Sequence, residues 1–344
     1  MSSVELAASR ADGPSFAHLR RLCDATGVFE HAEYQSPRRE HGYCVDDVAR
    51  ALIVAARDRS GEAGDLEDLC LDFIESAIAP DGRCHNRRSA TGAWLDAPSV
   101  DDCWGRALWG TGTAAVHGSD ARVRGRAREA FHALSARRSP AVRSMAFAAI
   151  GAGELLLSGE KSDAVRRLAE DAMRLAPSLP RGEWGWVEER LRYANASLSE
   201  AVIISGAALA DRRLLNRGLS MLAHLVLLES HDGHLSVTGP AGRTVADEGP
   251  QFDQQPIEVG AIADAAARAF DLTGQGRWKR VVELAWAWFL GDNDARVPMV
   301  DLQTGAGYDG LEPAGRNENC GAESTLAALS TWQHAARLGI MKTW

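Results

Sequence analysis

Two acidic phrases recur in this chain with nearly the same wording. DDVARALIVAA begins at Asp46, and DDCWGRALWGTGTAA begins at Asp101, 55 residues later. Three further acids stand in comparable settings. Glu258 in DQQPIEVG and Glu323 in NCGAEST each lie one turn into an otherwise apolar helical run, and Glu188 sits beside two tryptophans in EWGWVEERLRY. Carboxyls gathered in one place could cleave a glycosidic bond, which needs one carboxylic acid to protonate the leaving oxygen and a second carboxylate to activate water or attack the anomeric carbon. An unpartnered glutamate inside an apolar helix is costly to ionise, so its pKa rises and it keeps a proton. That casts Glu258 or Glu323 as the acid. A carboxylate at a helix N-terminus is favoured by the dipole and by a nearby arginine, which casts Asp47 or Asp102 as the base. The inverting course is the expectation.

Each acid also has a structural reading. Asp46, Asp101 and Asp253 suit helix N-caps. Asp47 and Asp102 could pair with Arg50 and Arg106. Glu188 could be a plain first-turn glutamate, and Trp184 and Trp186 could be packing residues.

The residues near these acids suit a sugar, because aromatic rings stack on the apolar faces of pyranoses while carboxylates, amides and guanidinium groups bind adjacent hydroxyls. The candidate binding residues of the first two acidic phrases are Tyr43, Asp46 and Arg50, then Asn86, Trp94, Asp101 and Arg106. The middle of the chain adds Trp184, Trp186, Tyr193 and Asn195. The last third adds Asp253, Gln254 and Gln255, then Tyr308, Asn317 and Asn319.

Other chemistries are less well served. The net charge of -9 argues against a nucleic-acid partner, which would call for a basic stripe. The six cysteines have no CxxC spacing and the ten histidines no HExxH or paired spacing, so no metal site is expected. No GxGxxG-like phosphate-binding turn follows a strand, which argues against transferase activity by this domain. No cofactor is expected. The first residues lack the basic start and apolar core of a secretory signal, and no apolar run approaches the about 18 residues of a membrane span. A cytoplasmic chain without a membrane partner is the expectation; its oligomeric state is open.

The elements that must position these residues follow from internal repetition. Six stretches rich in alanine, glycine and leucine start near Asp46, Asp101, Ser139, Asn195, Asp253 and Asn319. They are small or apolar nearly all round, as suits helices buried on every side. Amphipathic helices alternate with them near Leu66 to Ile78, Ala121 to Ala136, Ser162 to Leu175, Arg212 to Leu228 and Arg277 to Leu290, and Phe16 to Thr26 would complete the set. The expectation is one all-α domain over residues 1–344, an (α/α)6 toroid of six inner and six outer helices. Its long loops would gather the candidate residues, tryptophans included, at the N-terminal ends of the inner helices.

The phrases HGYCVDDVARAL, DDCWGRALWG, WGWVEERLRYANASL, FDQQPIE, WFLGDNDA with TGAGYDGL, and NENCGAESTLAAL occur in this order. Together they resemble a bacterial family of six-hairpin proteins often labelled glycosyltransferase or glycosidase, over roughly residues 30 to 335. The resemblance implies the (α/α)6 fold of the glycosidase superfamily and a part in bacterial oligosaccharide or glycan metabolism, with mannosides among the candidates. WFLGDND followed by TG is also faintly similar to the C-terminal part of inverting (α/α)6 cellulases, whose catalytic phrases are not reproduced. A glycoside hydrolase, or a phosphorylase acting on similar bonds, is the leading expectation. The alternatives are a non-catalytic glycan-binding partner of a glycosyltransferase and a sugar epimerase or isomerase.

Overall fold

Small residues decide how closely helices approach, and in this chain they line one set of helices. The computed structural model describes residues 13–176 and 184–340. Among these lie twelve α-helices: α1 Ala17–Arg21, α2 Val45–Arg57, α3 Gly64–Ala77, α4 Asp102–His117, α5 Ala121–Leu134, α6 Val142–Leu157, α7 Asp163–Leu175, α8 Asn195–Ala208, α9 Arg212–Leu228, α10 Pro256–Thr273, α11 Gly276–Phe289 and α12 Ala322–Arg337. The even-numbered helices pack in sequence, α2 on α4, α4 on α6, and so on to α12, which returns to α2. This closed inner ring is the expected (α/α)6 toroid. The odd-numbered helices lie outside it. The first outer helix is a single turn, because the Asp24 side chain accepts from the Thr26 N–H and bends the chain away.

Side-chain caps occur only among the outer helices, at three of the six. Asp120, Ser162 and Asp211 cap outer helices α5, α7 and α9. No inner helix has a side-chain cap at its N-cap residue. The N-cap expectation is therefore corrected. Asp46 lies inside the first turn of α2, Asp101 occupies the α4 N-cap position without making the bond, and Asp253 precedes the N-cap residue Gln255 of α10. The positive ends of six dipoles therefore gather around one mouth of the ring without caps from their own N-cap side chains.

Short two-stranded ribbons stiffen the loops at that mouth. Tyr43–Cys44 pairs with Arg87–Arg88, and Gly310–Glu312 pairs with Gly315–Asn317. No helix among the described residues is long and apolar enough to cross a membrane.

Charged side chains close the other end of the ring. Asp264 accepts from Arg57 at 2.7 Å, from His334 at 2.6 Å and from Ser330 at 2.9 Å, while Arg268 binds Glu154. Glu200 of α8 is fully buried beside them, with Arg268 Nε 3.6 Å away and no hydrogen bond to either carboxyl oxygen among the described residues. Burial pushes this carboxyl from 4.5 up to about 7. The folded chain then holds the proton more tightly than the unfolded chain, so the stability it contributes is complete below about pH 4.5 and lost as the pH rises to about 7. Burial acts in the same direction on Asp47, raised to about 6, and on Glu229 and Glu258, raised to about 7. Glu154 and Asp264 oppose the trend only in acid: against the upward push of burial, Arg268 and Arg57 hold them low. The buried imidazoles of His18 and His334, held below their ordinary value by burial, act the other way as the pH falls, so the carboxyl contribution is read from a variant. Glu200→Gln is expected to raise the thermal midpoint near about pH 8 more than near about pH 5, a difference read by calorimetry at the two pH values. An unchanged difference between the two pH values would remove Glu200 from the account.

Candidate active site

The N-terminal ends of the inner helices surround a cavity of about 910 Å³. Its wall includes Asp46 and Arg50 of α2, Asp102 and Arg106 of α4, Glu258 of α10 and Glu323 of α12, with Tyr193, Asp253 and Gln255 from the loops. A side lobe of about 510 Å³ shares Asp46, Asp102 and Tyr193 and adds Asn86 and Asp101. Below the main cavity a narrow apolar bore, with Ile53, Trp109, Ile257 and Leu326 in its wall, runs down to Asp264 and Ser330.

The ring order places two of the carboxyls across from each other. In a ring of six, α4 and α10 stand three positions apart, so Asp102 and Glu258 rise from facing helices. Asp102 accepts from Ser144 Oγ at 2.8 Å and from the Tyr193 hydroxyl at 2.6 Å. Glu258 is buried in the first turn of α10, where it accepts from the backbone N–H groups of Ala194 and Asn195 and from Asn195 Nδ2 at 3.0 Å. It thereby caps α8 from the neighbouring helix. Burial nevertheless pushes Glu258 up to about 7, against the pull of those donors and of Arg143. Tyr193 thus reaches from one carboxyl to the residue beside the other. Burial and the Asp102 hydrogen bond raise its own hydroxyl to about 12.

Arg50 is tied down from two sides, by Asp47 at 2.6 Å and by Glu323 at 2.9 Å. Arg106 is not. Its guanidinium lies over the Phe147 ring at 4.1 Å, and Nε approaches Asp46 Oδ1 only to 3.4 Å.

Several expected site residues stand elsewhere. Asp47 is buried behind Arg50, where it accepts from that arginine and from the Cys44 thiol, and it does not line the cavity. Glu188 is held by both ends of the Arg143 guanidinium at 2.8 and 2.7 Å, behind Tyr193. Asn195 is buried and positions Glu258 instead of facing the cavity. Tyr43 is a core residue that donates to Asp24 and stacks on Phe29. The expected tryptophan platform is absent from the described cavity wall. Trp94 stacks on His85, Trp186 is fully buried, and Trp184 donates to the Glu188 carbonyl. An indole is mostly apolar surface, and here the core claims it. Gln254 is spent on Asp294 at 2.6 Å, Arg316 covers Tyr308, and Asn317 accepts from the Asn319 N–H while Asn319 Oδ1 accepts from the Tyr34 N–H.

The cavity also has a wall that the acidic phrases do not announce. Arg190 and Arg192 flank Leu191, whose backbone pairs with Arg243 and so joins this segment to Thr238, Gly239, Pro240, Ala241 and Gly242. In the sequence it is split between the end of the phrase EWGWVEERLRY and the turn phrase TGPAG within a long connection. Glu30, Cys44 and Asp47 bring one possible ligand atom each within 4.8 Å of one another. Arg87 binds Glu30, however, and Asp47 accepts from the Cys44 thiol and from Arg50, so these groups already serve protein partners.

No family model matches the chain, and no curated relative matches it. Solved structures do match its fold. A sugar epimerase from a ruminal bacterium has a TM-score of 0.70 at 12% identity, covering 95% of this chain and 96% of that one. The cellobiose 2-epimerase from Spirochaeta thermophila scores 0.66 at 13%, with 97% of each chain covered. A GH76 α-mannanase from Bacteroides thetaiotaomicron also scores 0.66 at 13%, with 94% of each covered. These neighbours are carbohydrate-active enzymes on the same six-hairpin toroid, and they divide between epimerases and a glycoside hydrolase.

Proposed function

We propose that the chain is a carbohydrate-active enzyme, a glycoside hydrolase that cleaves oligosaccharides with Glu258 as proton donor and Asp102 as base. The observation that carries this reading is the pairing of two carboxyls of opposite character on facing helices of one cavity. Glu258, held up at about 7 by burial, keeps a proton near neutral pH for the leaving oxygen. Asp102, at the positive end of α4 with two hydroxyl donors, is placed to take a proton from attacking water. We adopt the inverting course for these two carboxyls on facing helices; it needs about 6.5–9.5 Å between them so that water fits, against the about 5–5.5 Å of a retaining pair. Glu323, paired with Arg50, and Asp46 serve as acceptors for sugar hydroxyls. The cavity volume of about 910 Å³ lies within the range of sites that enclose small ligands.

Epimerisation is the second reading. Removing a proton from carbon next to a carbonyl asks for a base such as histidine. Among the described residues, no histidine lines this cavity. Incubation with manno- and gluco-oligosaccharides, followed by mass spectrometry and by chromatography that separates epimers, tests the choice. Shortened products are expected, with kcat/KM falling as the pH rises through about 7, because the free enzyme then loses the Glu258 proton. Epimers of unchanged mass would overturn the hydrolase reading, and binding with no chemical change would leave a glycan-binding protein.

A further inference from the structure

Arg106 is the most exceptional group in the cavity wall. It is 4% exposed, so its guanidinium has given up nearly all its water, yet no described residue forms a hydrogen bond with it. Burial, followed by the nearby Arg50 charge, pulls its pKa down. The one anion beside it, Asp46, approaches Nε at 3.4 Å without a hydrogen bond, and Asp46 Oδ1 is itself buried without a partner. Arg50 cannot share the load, since Asp47 and Glu323 already occupy it. A buried charge left in this state is costly unless something completes it.

We propose, resting on the sugar-enzyme reading above, that Arg106 receives an oxyanion of the substrate or co-substrate, with Asp46 accepting from a hydroxyl beside it. The planar fork of arginine matches carboxylate and phosphate oxygens in a bidentate manner, and Phe147 fixes the plane of the fork at 4.1 Å. Arg190 and Arg192 on the cavity rim carry charge of the same sign toward an arriving anion. Two sources share this chemistry. One is the carboxylate of a uronic acid unit in the glycan; the other is inorganic phosphate attacking the glycosidic bond in place of water. In the phosphate case the bond from anomeric carbon to bridging oxygen breaks, a phosphate oxygen bonds to that carbon, and Glu258 protonates the departing alcohol.

Calorimetric titration of the full chain with inorganic phosphate, with glucuronate, and with mannose as the neutral control tests the proposal. One of the two anions is expected to bind, and Arg106→Gln to weaken it by about 10- to 100-fold, the loss expected for hydrogen bonds to a charged group. Should that variant not fold, Arg106→Lys keeps the charge but loses the fork, and is expected to weaken anion binding as well. Phosphate binding with sugar 1-phosphate among the products identifies a co-substrate, and glucuronate binding with cleavage confined to uronosyl glycans identifies a substrate carboxylate; both uphold the proposal. Binding of neither anion, or anion affinity unchanged in both variants, overturns it. Anion binding without cleavage of any glycan would leave Arg106 in this role and remove the hydrolase reading, whereas cleavage of neutral glycans with no anion bound would do the reverse.

Discussion

Glu258→Gln is expected to lower kcat for glycosidic cleavage by about 100- to 10,000-fold, the usual contribution of a positioned proton donor. Glutamine keeps the shape of the side chain but has no proton to give. The substitution also has a structural side, because both Glu258 oxygens accept from N–H groups at the start of α8. A glutamine amide turns its own NH2 toward one of those donors and forfeits that hydrogen bond, a loss of about 1–3 kcal/mol in stability. Thermal melts of each variant separate this cost from the chemical one. Asp102→Asn carries no comparable burden, since the amide oxygen can still accept from Ser144 or Tyr193. A similar fall in kcat is expected from it. The pH profile gives a sharper discrimination: the decline above about 7 in the parent enzyme is expected to disappear in Glu258→Gln if that decline reports the Glu258 proton. Near-parental cleavage by both amide variants would show that the acids are helix partners or hydroxyl ligands and that the chemistry belongs to other groups.

The toroid was legible because its cause is local. Alanine and glycine over whole helical runs can only be buried from all sides, and the six inner helices start within three residues of the positions expected from the repeats. Which acid faces the bore was not legible, because each helical residue turns the side chain by about 100° and one residue of phase decides it. α2 begins at Val45, so Asp46 lines the cavity while Asp47 turns inward to Arg50. The second phrase is placed one residue differently, and there Asp102 faces the cavity. Aromatic residues in loop phrases misled for another reason. Tyr43 and Trp186 have the right chemistry for a sugar, but the core needs large apolar surface as much as a site does, and composition cannot say which prevails. Arg190 and Arg192 stand in a conspicuous phrase, yet their place in the wall was not legible, since it depends on backbone pairing between Leu191 and Arg243, more than fifty residues apart.

Glycine to alanine is expected to have opposite effects in the two layers, and the inner substitution to have the largest effect on stability. Gly151 of α6 lies against the backbone of α4: a Cβ placed on it falls onto the Leu108 carbonyl oxygen, and one placed on Gly112 of α4 comes within 2.6 Å of Gly151 Cα. Two helix backbones in contact cannot yield as a flexible side chain would. Gly151→Ala must therefore push α4 from α6, and the cost is expected to reach or exceed the upper end of the about 1–3 kcal/mol typical of overpacking. The displacement would be felt at the site, because the Ser144 hydroxyl of α6 donates to Asp102 of α4 across this same contact. Gly125, in the middle of outer helix α5, has nothing within 4 Å of the position a methyl group would take. Alanine there restricts the unfolded chain and suits the helix, so Gly125→Ala is expected to stabilise by about 0.5–1 kcal/mol. Urea unfolding of the two variants beside the parent measures both changes. Equal effects from the two substitutions would mean that the inner helices are not held at backbone contact, and the close-packed ring that sets Asp102 opposite Glu258 would lose its physical basis.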